Sequence, residues 1–155
     1  MPSDLLLTAP IAIPLGALAL TTALWRMPAL QRHVSLAASM AFLAAAIALL
    51  RATLDGTILA TNFGSWPAPF GISFVADRLS AAMVLITAIM AVATAVYQLD
   101  GSENTDRPLY QLLYHGLLAG VTGAFMTGDI FNMYVWFEIM LISSFGMLIL
   151  GGTKE

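Results

Sequence analysis

The chain has 155 residues, 59% hydrophobic and 10% charged, with a net charge of −3 and no cysteine. Soluble domains carry roughly 25% charged residues, so a chain this poor in charge, with mean hydropathy +0.86, faces lipid or other helices over most of its surface. Six scattered basic residues on an acidic balance exclude nucleic acid as a partner, and the absence of cysteine excludes disulfides, thiolate metal sites and thiol nucleophiles.

Five apolar runs follow in chain order. The first extends from about Leu5 to Trp25. No Lys or Arg precedes it, Asp4 stands there instead, and it runs on without a stop, so it reads as a membrane helix rather than a cleaved leader. Pro10 and Pro14 predict a kink in it, not a break. The second run, about Val34 to Leu54, is rich in alanine (Ala37, Ala38, Ala41, Ala44, Ala45, Ala46), which predicts close approach to a neighbouring helix. The third spans about Leu79 to Leu99, the fourth about Leu109 to Met126, and the fifth about Ile130 to Leu150. Each is near the ~20 residues that cross ~30 Å of hydrocarbon, and inside lipid each must be helical to satisfy its own backbone. The expected fold is therefore an all-α, polytopic membrane bundle of about five transmembrane helices, a single membrane domain over residues 1–155.

The connections carry their own signals. Arg26 to His33 reads as a short basic turn, and Asp100 to Pro108 as a solvated one. The long connection from Asp55 to Arg78, with Gly and Pro between Asn62 and Gly71, predicts turns and two short strands. Thr127–Gly128–Asp129 predicts a tight turn. With the N-terminus outside, Arg26, Arg32, Arg107 and Lys154 fall on the cytoplasmic side, and Arg51 and Arg78 on the outer side, the arrangement favoured by the positive-inside rule. Trp25, Tyr97 and Tyr110 then lie at the inner interface.

One charged residue lies deep in a run. Glu138 is nine residues past Asp129, or about 13 Å along a helix, near the bilayer middle. A bare carboxylate there is costly, and desolvation favours the protonated form. A carboxyl that can be neutral or charged meets the physical requirement for a proton relay. A protonated glutamate that holds two helices together is the structural alternative. His115, about two turns into the fourth helix, has an ordinary pKa near ~6.5 that suits proton transfer; the alternative is an interfacial histidine bonded to a backbone carbonyl. Asp129 at the start of the fifth helix is placed to cap it, or to receive an ion at its mouth. On a helical wheel Asp129 is opposite Glu138, while Tyr134, one turn before Glu138, shares its face. Asn132, Ser143 and Ser144 are expected to bond across helices. Nucleotide, metal and hydrolase motifs are absent from the sequence, and no cofactor is implied.

The segment from Thr127 through Phe131–Asn132–Met–Tyr134–Val–Trp–Phe137–Glu138 to Gly146 resembles the fifth-helix signature of the antiporter-like subunits shared by respiratory complex I and Mrp-type multisubunit Na+/H+ antiporters. Its core is most similar to the Mrp D-subunit branch. Phe70 to Ala81 and Gly120 to Phe125 are similar to the family's third-helix entry and fourth helix. The resemblance implies that Glu138 is the family's essential membrane glutamate, paired in relatives with a lysine on a later helix. The only lysine here is Lys154, outside the apolar runs, so the chain is expected to be the N-terminal part of a longer subunit. It further implies Na+/H+ exchange within a hetero-oligomer of membrane subunits in a bacterial cell (inner) membrane. A proton-pumping module of a complex I or hydrogenase-type redox complex, and a purely structural membrane subunit, are the other readings.

Overall fold

A backbone surrounded by lipid must bond to itself, and the apolar runs do so as helices. The computed structural model describes residues 3–63, 66, 71–100 and 108–151. They form α1 (Ser3–Ala23), α2 (Pro28–Thr53), a hairpin of β1 (Leu59–Asn62) and β2 (Ser73–Ala76), α3 (Arg78–Tyr97), α4 (Pro108–Met126) and α5 (Ile130–Gly151). Lys154, most of the expected solvated turn before Pro108 (Arg107 included), and the loop glycine and prolines of 64–65 and 67–70 lie outside the described residues.

Helix α2 starts six residues ahead of the expected Val34. Pro28 at its first turn has the preset φ of a helix start, Gln31 N–H donates to Met27 O at 3.0 Å, and the Gln31 side chain donates to Thr21 O of α1 at 2.7 Å. Arg32 and His33 therefore sit in the helix, and the basic turn shrinks to residues 24–27. Both prolines of α1 are buried within an uninterrupted helix.

The alanines of α2 do not form its contact face. Of the six, only Ala46 is buried; the inward stripe is Gln31, Ser35, Ser39, Phe42, Ala46 and Leu49. The small-residue seam belongs to α3 instead, where Ala81, Ala88, Ala91 and Ala95 are buried with Val84.

Among the described residues, four helices are long and apolar enough to cross a membrane: Asp4–Ala23, Pro28–Thr53, Arg78–Tyr97 and Ile130–Leu150. Helix α4, expected from sequence as a fifth span, is not among them, because Tyr110, Gln111, Tyr114, His115 and three glycines dilute its apolar content. It nevertheless packs against all four other helices. Its polar groups thus point into protein, the one place where a membrane helix tolerates them.

The expected strands pair antiparallel, Leu59 opposite Ala76 and Asn62 opposite Ser73. The hairpin lies beside the N-terminal part of α5. Gly128 N–H donates to Ser73 O at 2.8 Å, Phe74 bridges to Thr127, and the Phe74 ring stands 6.3 Å from that of Trp136. The exit from the hairpin into α3 is a capping box: Asp77 Oδ1 accepts from Ser80 N–H, and Ser80 Oγ accepts from Asp77 N–H, each at 2.8 Å. Arg78 then donates to Thr53 O at 3.3 Å, closing the end of α2.

The Ser80 backbone N–H, and then its hydroxyl, hold the Asp77 carboxyl below its ordinary 3.8. A depressed folded-state pKa stabilises the fold above the unfolded value and loses that contribution as pH falls through the folded one. Thermal unfolding in detergent between about pH 6 and pH 3 is expected to show an acid loss that is shallower in Asp77→Asn than in wild type.

Candidate functional site: the membrane glutamate and its setting

The orientation of α5 decides where Glu138 points, and α4 decides that orientation. Gly116, Gly120 and Gly123 of α4 lie under Ser143, Met140 and Trp136 of α5. A Cβ at Gly120 would stand 2.9 Å from the Met140 backbone nitrogen, and one at Gly123 would enter the Trp136 indole. Without side chains at these positions the helices approach closely, as small-residue seams permit in membranes. Asn132, Trp136 and Ser143 are consequently buried at helical spacing, with Ile139 packed alongside.

Glu138 is two residues from Trp136, about 200° around the helix, and so faces away from the seat. The sequence pattern predicts a Glu138 deep among helices. Its depth along α5 agrees, but its side chain is partly exposed on the outward face, together with Tyr134 at 62% exposure. The reason is that α5 lies at the edge of this bundle, with Phe131, Ile142 and Phe145 also uncovered. Tyr134 stands one turn before Glu138 on this face, its hydroxyl toward the carboxyl. Among the described residues there is no lysine.

Asp129 caps α5. Its Oδ1 accepts from Asn132 N–H at 2.6 Å, and its Oδ2 lies 3.5 Å from Ser73 N of the hairpin. Asn132 in turn donates to Thr127 Oγ1 at 3.0 Å. Ser144, expected to bond across helices, instead donates to Leu141 O of its own helix at 3.0 Å.

His115 is 1% exposed, buried between α4 and α2. Its Nε2 lies 3.0 Å from Ser35 Oγ of α2, so its partner is a side chain across the helix contact and not a backbone carbonyl. Glu138 and His115 leave the α4–α5 pair on different sides, one outward from α5 and the other toward α2. An apolar cleft of about 260 Å³ between α1, the hairpin and α5 is lined by Ile11, Leu15, Phe74, Asn132 and Trp136, on the buried side of α5 away from Glu138. No group of three or more His, Asp or Glu side chains gathers among the described residues.

Sequence reasoning missed Gln31, Ser35, Ser39, Gln98 and Gln111, all buried. Gln31–Ser35–Ser39 and Gln111–His115 recur at four-residue spacing, the signal that could have marked them as one lining.

No family model matches the chain. It is 39% identical over 146 residues to the D-subunit of the Na(+)/H(+) antiporter of Bacillus subtilis, covering 94% of this chain and 30% of that protein. It is 36% identical over 154 residues to the D-subunit of a probable K(+)/H(+) antiporter of Rhizobium meliloti, covering 96% of this chain and 28% of that one. Among solved structures, a chain of the Mrp complex from Dietzia sp. DQ12-45-1b superposes with a TM-score of 0.84 at 31% identity, over 94% of this chain and 27% of that chain. A chain of the archaeal membrane-bound sulfane sulfur reductase, a respiratory membrane complex, superposes with a TM-score of 0.81 at 26% identity, over 93% of this chain and 29% of that chain. Fold and comparisons together define a multi-pass membrane subunit of the antiporter-like class. Within that class the chain is a homologue of the Mrp-type cation/proton antiporter D-subunit and spans about 30% of the length of the relatives it matches.

Gly123→Ala is expected to lower the stability of the α4–α5 pair by about 1–3 kcal/mol through overpacking against Trp136, whereas Gly16→Ala, with nothing within 4 Å of its Cβ, is tolerated. Asp129→Ala is expected to cost about 0.5–2 kcal/mol as a lost cap, with Asp129→Asn close to wild type. Thermal denaturation of the detergent-solubilised protein measures all four.

Proposed function

We propose that the chain is the N-terminal part of the ion-translocating subunit of a multisubunit monovalent cation/proton antiporter in a bacterial cell (inner) membrane, with Na+ as the exchanged cation and Glu138 as the intramembrane proton carrier. The observation that carries this reading is the placement of Glu138. It lies near the middle of an apolar helix, on the face that the bundle leaves open, with Tyr134 one turn away on the same face. It points away from α4, so it takes no part in holding the α4–α5 pair. An intramembrane carboxyl is expensive to keep unless it works.

In this reading the open face of α5 meets other parts of the subunit or its partner subunits, and a basic group from there completes the pair. A cation beside the carboxyl favours its charged form, and withdrawal of that cation favours the protonated one. Alternation between the two moves a proton. Tyr134, one turn before on the same face, is placed to donate to the carboxyl. Asp129 acts as a cap with no separate role in ion entry, since both of its oxygens already face backbone N–H groups.

The similarity to the sulfane sulfur reductase chain supports a second reading, in which the same carboxyl serves a proton-translocating subunit of a redox-driven complex. Purification of the native complex separates the two: iron–sulfur absorbance in it favours the redox module, and its absence favours the antiporter.

The direct test is cation-dependent proton movement in everted vesicles carrying the full complex. Glu138→Gln is expected to assemble normally and to lose exchange by at least about tenfold, below the usual range for a general acid–base group. Tyr134→Phe is expected to retain exchange at a reduced rate. Full exchange in an assembled Glu138→Gln complex would assign the carboxyl a structural role and send the search for the proton path to other helices.

A further inference from the structure

The end of the bundle where α1 and α3 finish and α2 and α4 begin has a polar interior that Glu138 does not touch. On α2, Gln31, Ser35 and Ser39 follow one another at four-residue spacing over about 12 Å of helix, all buried. Facing them, Gln111 and His115 are one turn apart on α4 and equally buried. Part of this set is paired. Gln31 donates to Thr21 O, Gln111 donates to Gln98 Oε1 at 2.8 Å, and His115 Nε2 meets Ser35 Oγ. Four atoms of this set have no hydrogen-bond partner among the described residues: Gln31 Oε1, Gln111 Oε1, Ser39 Oγ and His115 Nδ1. The Tyr114 hydroxyl lies toward Ser39, but its proton is committed to Ala91 O of α3 at 2.6 Å.

Buried polar atoms in native proteins are bonded to protein or to ordered water, and in a membrane bundle the demand is stricter. Four open atoms along one short strip call for ordered water as their partner. Gln31 and Gln111, both buried, each stand fourth in their helices, one turn from the end at which water would enter. The strip stops at His115. The crevice beyond it, lined by Pro14, Ser39, Phe42, His115 and Leu118, has no room for the centre of a water molecule, and farther along α2 come Ala46 and Leu49, fully buried.

We propose that this interior is a hydrated pocket open to one face of the membrane, ending in a proton-binding site at His115 that Ser35 and Ser39 of α2 cradle. The neutral ring uses one nitrogen on Ser35 and leaves the other open. A proton from the pocket water forms an N–H bond at that second nitrogen as the donor O–H breaks. The new N–H then has Ser39 Oγ, which lines the same crevice, as its acceptor. The proton returns by the same route, since the crevice closes the other side.

The groups facing this site carry no charge that would set its protonation. Helix α1 contributes Ile13 and Pro14, which carry no ionisable group. Helix α2 carries Arg32 and His33 toward its start, before Ser35. Helix α3 presents Ala91 and Ala95, and its Arg78 lies at the far end against Thr53. Helix α4 contributes Tyr110 and Tyr114, the Tyr114 ring standing edge-on to the imidazole at 5.0 Å. Helix α5 meets this part of α4 through Ser143, with Glu138 on its outer face.

The test is solid-state NMR of ¹⁵N-histidine in the assembled complex in bilayers, from about pH 8 to about pH 3, a range wide enough for a buried imidazole. One signal, absent in His115→Gln, is expected to pass from a neutral to a doubly protonated ring and to show contact with water protons throughout. A signal that stays neutral and dry over the whole range would overturn the proposal. Ser39→Ala retains the ring and identifies its signal even if His115→Gln fails to assemble. It is expected to shift the titration to lower pH, and a titration identical to wild type would overturn the assigned cradle. Neither result bears on Glu138.

Discussion

The close contact of α4 with α5 is the interaction on which the rest depends. Three glycines on one helix accept a tryptophan, a methionine backbone and a serine from the other. Lipid supplies no hydrophobic drive between helices, so this fit, dispersion at short range, holds the pair together and fixes its rotation. Because Trp136 and Ser143 must point inward, Tyr134 and Glu138 must point outward. The site is thus a consequence of a short seam, about 10 Å of helix from Gly116 to Gly123 on α4, faced by the stretch of α5 from Ser143 back to Trp136.

The hairpin completes this arrangement at one end. Asp129 caps α5 and faces Ser73, Gly128 bonds the second strand, and the Phe74 ring meets Trp136 at a tilt. The start of the glutamate helix is therefore tied to the connection between α2 and α3. At the opposite end the bundle is polar inside, around Gln111 and His115. Helix α4 serves both regions. It is the least membrane-like of the five by composition and touches all the others, and its glycines and polar groups are tolerated because protein covers them.

The fold is largely legible in the residue pattern. Runs of about twenty apolar residues can only be helices in lipid, and the helix starts fall near Pro28, Pro108 and Asp129, residues that begin helices. The start of α2 is harder to see because Arg32 and His33 look like loop residues; the Gln31 bond to α1 and Pro28 outweigh that. The alanines of α2 mislead because small residues permit close packing without requiring it, and α2 presents Gln31, Ser35 and Ser39 instead. At the site, the depth of Glu138 and its shared face with Tyr134 follow from rise and periodicity alone. Its exposure does not, since wheel position gives direction relative to a neighbour only when the neighbour is known. The polar lining around His115 escapes a reading that weighs Gln, Ser and His singly rather than at their four-residue spacing across two helices.

If the glycine seat sets the rotation of α5, paired cysteines across it report that rotation cleanly, because the chain has no cysteine of its own. A Cβ at position 116 stands 3.7 Å from that of Ser143, inside the window a disulfide needs. In a cysteine-free background of the full complex, Gly116→Cys with Ser143→Cys is expected to crosslink under mild oxidation in native membranes, while Gly116→Cys with Ile142→Cys does not. Crosslinking of the second pair in place of the first would mean that α5 is rotated from this position, and the outward placement of Glu138 would fall with it.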